Sequence, residues 1–87
     1  MPRLQKDIVI QNAQGLHARP AALFVQIASK YDAHITVKKD SEAVNGKSIM
    51  GILMLGAQKH SKVTVTADGD DAEKAMAELE EFLNTNE

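Results

Sequence analysis

Cysteine and tryptophan are absent from the 87 residues, and only three aromatics and two prolines occur. Without thiols there can be no disulfides and no thiolate metal sites, which fits a reducing compartment. The histidines at 17, 34 and 60 are too scattered to suggest zinc, so no metal or cofactor is expected. No segment approaches the ~20 apolar residues that span a bilayer, and the first part of the chain has no signal-peptide apolar block. The expected location is the cytoplasm, without membrane insertion.

Net charge is also low, at −2, but it is unevenly spread. Residues 1–62 hold nine Lys/Arg against four Asp/Glu, whereas residues 63–87 hold one against eight. The basic part suits acidic partners. Nucleic acid is a poor fit, because aromatics for stacking are few and no basic cluster exceeds the pair Lys38-Lys39.

What is present is an ordinary globular composition, 44% hydrophobic and 25% charged, in a length that allows one domain over 1–87 and one modest core. Residues 5–11 read as a strand with Ile8 and Ile10 on one face, followed by a loop at 12–15. Ala21, Leu23, Phe24, Ile27, Ala28 and Tyr31 form a helical stripe between 18 and 31. Residues 34–39 alternate as a half-buried strand, Asp40-Ser41 turns the chain, and a short strand lies around 42–44. After the turn signal Asn45-Gly46, residues 48–55 make a short, almost wholly apolar helix ended by Gly56. A strand at 62–67 and a turn at 68–70 lead to a last helix with Ala72, Ala75, Met76, Leu79, Phe82 and Leu83 on one face. Asp70, Asp71 and Glu73 lie at its start, where the helix dipole favours acids.

The order β-α-β-β-α-β-α, with one apolar face per strand, predicts an α+β two-layer open-faced sandwich. Its four-stranded, mostly antiparallel sheet is covered on one face by three helices.

The segment Gly15-Leu16-His17-Ala18-Arg19-Pro20-Ala21 carries the chemistry. A glycine-bearing loop brings a histidine to a helix start, and Pro20 fits the first turn, where its missing N–H costs nothing. The N–H groups of Ala18 and Arg19 are left free with the positive end of the dipole, which favours an anion. Arg19 adds a planar fork suited to phosphate oxygens. A neutral nitrogen of His17 is the candidate nucleophile. His34 and His60 have no such company and read as surface residues.

A second segment spans 45–55. Gly46-Lys47-Ser48 ends like a Walker A loop, but Ser41 stands where that motif needs its first glycine, and the fold is too small. Ser48 reads as a helix N-cap. The helix after it is too apolar all round for a surface helix of its length, so part of it is core and part an exposed patch.

Gly-Leu-His-Ala-Arg-Pro-Ala at 15–21, followed by Asn-Gly-Lys-Ser-Ile-Met-Gly at 45–51, resembles HPr, the histidine phosphocarrier of the bacterial phosphoenolpyruvate-dependent sugar phosphotransferase system. The resemblance spans essentially the whole chain. It implies that His17 is phosphorylated on Nδ1 by enzyme I and relieved by the A components of sugar permeases. Arg19 then matches the active-site arginine, and Ser48 the serine modified by HPr kinase/phosphorylase, a modification that can direct binding to a transcription regulator. Ile49, Met50 and Leu53 match the apolar docking patch, with Ile52 and Leu55 facing the core. Gln26 and Ser29 stand where some relatives carry lysines that meet acidic partners, and Met54 adds apolar surface. A stoichiometric, monomeric carrier is expected, not an enzyme. The second reading is a regulatory interaction module, or a nitrogen-type phosphotransferase carrier, controlled through Ser48. Intact His17, Arg19 and Pro20 argue against a purely regulatory role.

Overall fold

The computed structural model describes residues 3–11 and 15–85. The elements are β1 (Arg3–Val9), α1 (Ala18–Ser29), β2 (His34–Lys39), β3 (Glu42–Asn45), α2 (Ile49–Leu55), β4 (Lys62–Asp68) and α3 (Ala72–Asn84). Part of the expected loop, residues 12–14, lies outside the described residues.

The sheet order is β1-β4-β2-β3, and all three neighbouring pairs are antiparallel. β1 and β2 therefore run parallel to each other with β4 inserted between them. Inward residues meet across the ladder: Ile8 faces Val63, Val65 faces Val37 and Ala67 faces Ile35. These six are buried, as period-two alternation demands. The opposite face is polar, carrying Gln5, Asp7, Thr36, Lys38, Thr64 and Thr66, and Thr64 Oγ1 donates to Asp7 Oδ1 at 2.7 Å.

One core joins this sheet to the helices. Fully buried Phe24 contributes roughly 1.5–3 kcal/mol by its removal from water. Its ring lies 6.5 Å from that of Phe82, tilted by 59°. Ala72, Ala75, Met76, Leu79 and Leu83 are buried along α3, while Phe82 is half-buried at the edge of that stripe.

Three local differences from the sequence reading have plain causes. β1 starts earlier than expected and gives way at Ile10, whose N–H donates to Ser61 C=O at 2.9 Å. α1 ends before Tyr31, which is half-buried while its hydroxyl donates to Glu78 of α3. Leu23 is 42% exposed, because it lies on the flank of the stripe centred on Phe24 and Ala28.

Candidate functional site

α1 begins at His17, whose extended backbone (φ −78°, ψ −170°) makes it the N-cap. The first helical hydrogen bond runs from Ala21 N–H to His17 C=O, at 2.8 Å. Ala18 and Arg19 precede that bond, so helix geometry gives their N–H groups no acceptor within α1, and Pro20 has no N–H to leave unpaired. The His17 side chain makes no capping hydrogen bond. His17, Ala18 and Arg19 are exposed, whereas Leu16 and Pro20 on either side are buried. A buried leucine and a buried proline thus hold an exposed imidazole and guanidinium at the positive end of a twelve-residue helix.

The chain reaches this point by a tight approach to the end of α2. Leu16 N–H donates to Ala57 C=O at 2.8 Å. Gly15 has φ +65°, and a Cβ there would lie 2.7 Å from both Ala57 O and Gln58 Cα. Only glycine fits both the backbone conformation and the space.

α2 packs against α1 and against β2 and β3. Ser48 is its N-cap, and its Oγ accepts from Gly51 N–H at 3.1 Å. Gly56 ends the helix in the left-handed region. Ile52 and Leu55 are buried, while Ile49, Met50, Leu53 and Met54 are exposed, the two methionines by 68% and 70%. Four of the seven residues of this helix therefore offer apolar side chains to solvent, an arrangement that marks partner surfaces. Leu23 of α1 adds exposed apolar area that the periodicity reading placed in the core. Its place on the flank of the stripe was the only sequence signal. Gln26 and Ser29 are exposed on α1.

Lys47 stands in the 45–51 segment that carries the resemblance, but its sequence surroundings give it no role of its own. Its Nζ donates to Tyr31 C=O at 2.7 Å, tying the turn before Ser48 to the end of α1. Beside it, Lys30 Nζ donates to Glu78 Oε2 at 2.7 Å. This bond holds the Glu78 carboxyl below its ordinary range, aided by the Tyr31 hydroxyl. The hydrogen bond to Glu78 in turn raises Tyr31 and Lys30. This clasp locks the C-terminal end of α1 to α3 and leaves its N-terminal end to the histidine.

The chain matches, over residues 4–85, the family model described as the PTS HPr component phosphorylation site. It belongs to the HPr family of phosphocarrier proteins. Its fold is similar to the crystal structure of a phosphocarrier protein HPr from Bacillus anthracis str. Ames, with a TM-score of 0.92 at 43% identity, over 95% of this chain and 99% of that one. HPr-C-His from Thermoanaerobacter tengcongensis is similar at 49% identity and a TM-score of 0.86, over 95% and 91% of the two chains. The Bacillus subtilis catabolite repression protein Crh, crystallised as a swapped dimer, is similar at 38% identity and a TM-score of 0.75, over 92% of each chain. Among the described residues, no group of three or more His, Asp or Glu could hold a metal ion, and no helix is long and apolar enough to cross a membrane.

Proposed function

We propose that His17 accepts a phosphoryl group from phospho-enzyme I and passes it to the A components of sugar permeases. The observation that carries this reading is the placement of an exposed, uncapped imidazole at the first turn of α1, next to Arg19 and two N–H groups with no helical acceptor. In the transfer, a neutral nitrogen of His17 attacks phosphorus in line, its N–P bond forming as the N–P bond to the donor imidazole breaks. The ring proton of His17 leaves to solvent, and the donor imidazole departs neutral once it is protonated. The Ala18 and Arg19 N–H groups and the Arg19 guanidinium stabilise the charge on the transferring oxygens, at no cost in reorganisation. The exposed residues Ile49, Met50 and Leu53 form the patch on which donor and acceptor dock in turn. The carrier is phosphorylated stoichiometrically, works in the cytoplasm as a monomer, and needs no metal.

The second reading, a regulatory module controlled by phosphorylation of Ser48, is favoured by the similarity to Crh and by the place of Ser48 beside the apolar patch. Both roles can reside in one chain, because the two residues are distinct.

The test incubates the protein with enzyme I and phosphoenolpyruvate and looks for an acid-labile phosphate. One phosphate per chain is expected, lost in His17→Ala with the circular-dichroism spectrum unchanged. Full phosphorylation of that variant would overturn the assignment.

A further inference from the structure

The chain between β1 and α1 is fastened at both ends to one short turn. Before it, Ile10 N–H donates to Ser61 C=O at 2.9 Å, and His60 N–H donates to Ile10 C=O at 2.8 Å. After it, Leu16 N–H donates to Ala57 C=O at 2.8 Å. The turn at 57–61 is itself braced: Gln58 N–H donates to Ser61 Oγ at 3.1 Å and Ser61 N–H to Gln58 C=O at 2.9 Å. His60 sits at φ +74°, a conformation that a residue with a side chain keeps only when its surroundings impose it. Gly15 lies so close to this turn that a Cβ would meet backbone atoms, which cannot swing aside as a side chain could.

We infer that the turn at 57–61 is the platform that positions His17 for phosphoryl transfer, with Gly15 as the positioning residue that lets the chain lie against it. The inference rests on His17 being the phosphoryl acceptor. His17 follows Leu16 directly, so the bond to Ala57 and the buried Leu16 side chain fix where the imidazole emerges. The platform continues directly from α2, whose Gly56 cap precedes Ala57. The imidazole and the apolar face of α2 therefore belong to one rigid unit, and a partner seated on α2 finds His17 at a fixed offset. Displacement of a reacting group by about 1 Å can cost about a hundredfold in rate.

Gly15→Ala tests this. Its Cβ forces the loop off Ala57 while leaving the exposed side chains of α2 untouched. With phospho-enzyme I, the variant is expected to lose about ten- to hundredfold in kcat at an unchanged KM. With phosphoramidate, a small donor that does not dock, the N–P bond to ammonia breaks as the N–P bond to His17 forms, and the rate should stay near that of the unaltered protein, because no partner seated on α2 has to find the imidazole at a fixed offset. A folded Gly15→Ala with a normal rate from phospho-enzyme I overturns the inference, as does a loss confined to KM or an equal loss with phosphoramidate. Should the variant not fold, amide hydrogen exchange of the unaltered protein decides: Leu16 and His60 N–H should exchange slowly and in step, and exchange of Leu16 at the open-chain rate overturns the platform. Failure of the unaltered protein to take phosphate on His17 would instead remove the functional reading itself.

Discussion

The Asp71 carboxylate accepts a hydrogen bond from Ala33 N–H at 2.9 Å, across 38 positions of sequence. It takes a second from Asp32 N–H at 2.8 Å, so the residue that begins α3 ties down the loop between α1 and β2 and does not cap its own helix. These bonds, the one from Asp32 foremost, favour the ionised form and lower the Asp71 carboxyl below its ordinary value of 3.8. A depressed carboxylate contributes stability that is complete above its unfolded value and is lost as pH falls through its folded one. Asp71→Asn should therefore melt at a lower temperature than the unaltered protein at pH 7. The gap between their melting temperatures should close as pH falls through and below 3.8. A constant gap across that range would show that the carboxylate charge is not what holds the loop.

Gly46 was legible as a turn signal, yet it serves packing. Its N–H donates to Ile35 C=O at 2.7 Å, and a Cβ there would overlap the Ile35 side chain, which is fully buried. Relief would need a shift of a core residue on a central strand. Gly46→Ala should cost about 1–3 kcal/mol, the range for overpacking, and lower the melting temperature by roughly 4–8 °C per kcal/mol. Denaturant titration showing no loss would mean that β2 yields without strain.

Periodicity located β1, β2, β4, α1 and α3 because each buries one face, and alternation or a 3.6-residue stripe is the direct record of that burial. β3, which buries no residue, was placed by the turns beside it, and α2 by its apolar run. Ile35 and Val37 were legible by alternation, whereas the inward place of Ile52 and Leu55 followed from the resemblance of 45–51 to the HPr family. The exposed half of α2 was visible as apolar residues in excess of what a short helix can bury. Leu23 was misplaced because a flanking position satisfies the period without reaching the core. The Asp71 anchor, the Lys47 bridge to Tyr31 and the seat of Gly15 on Ala57 were not legible. Each joins residues distant in sequence, and no local pattern encodes such a contact. The candidate site itself stood out as a motif, since histidine, arginine and proline at one helix start are rarely a requirement of folding.

Arg19 is exposed at the second position of α1 and is free to swing towards an anion held by the first turn. A charge-assisted hydrogen bond to phosphate is worth roughly 1.5–3 kcal/mol, so Arg19→Ala should slow transfer to His17 by about 10- to 150-fold if the bond acts mainly in the transition state. The final extent of phosphorylation should approach one per chain, because the acceptor nitrogen remains. Rapid-quench kinetics separate the two quantities. An unchanged rate would leave charge neutralisation to the backbone N–H groups alone.

Ser48 caps α2 through its own oxygen, at 3.1 Å from Gly51 N, and directly precedes Ile49 and Met50, which are 45% and 68% exposed. A phosphate on that oxygen adds ~1.5–2 negative charges at pH 7 to the rim of the apolar patch. The nearest cation in sequence, Lys47, is held by Tyr31 C=O at 2.7 Å and is not free to neutralise it. The charge at the start of a helix opposes no backbone dipole, so the fold should stand. What changes is docking: an acidic partner surface meets like charge and must desolvate it. Ser48→Asp is accordingly expected to reduce the rate of His17 phosphorylation by enzyme I, chiefly through a raised KM, while its amide spectrum away from α2 stays unchanged. The defect should shrink as salt rises, because exposed charges are screened over roughly 8–10 Å at physiological ionic strength. With phosphoramidate as donor the variant should react at the normal rate, since no surface has to dock. A defect that persists with the small donor, or that ignores salt, would locate the effect of Ser48 in the conformation of the His17 loop and not in repulsion at the patch.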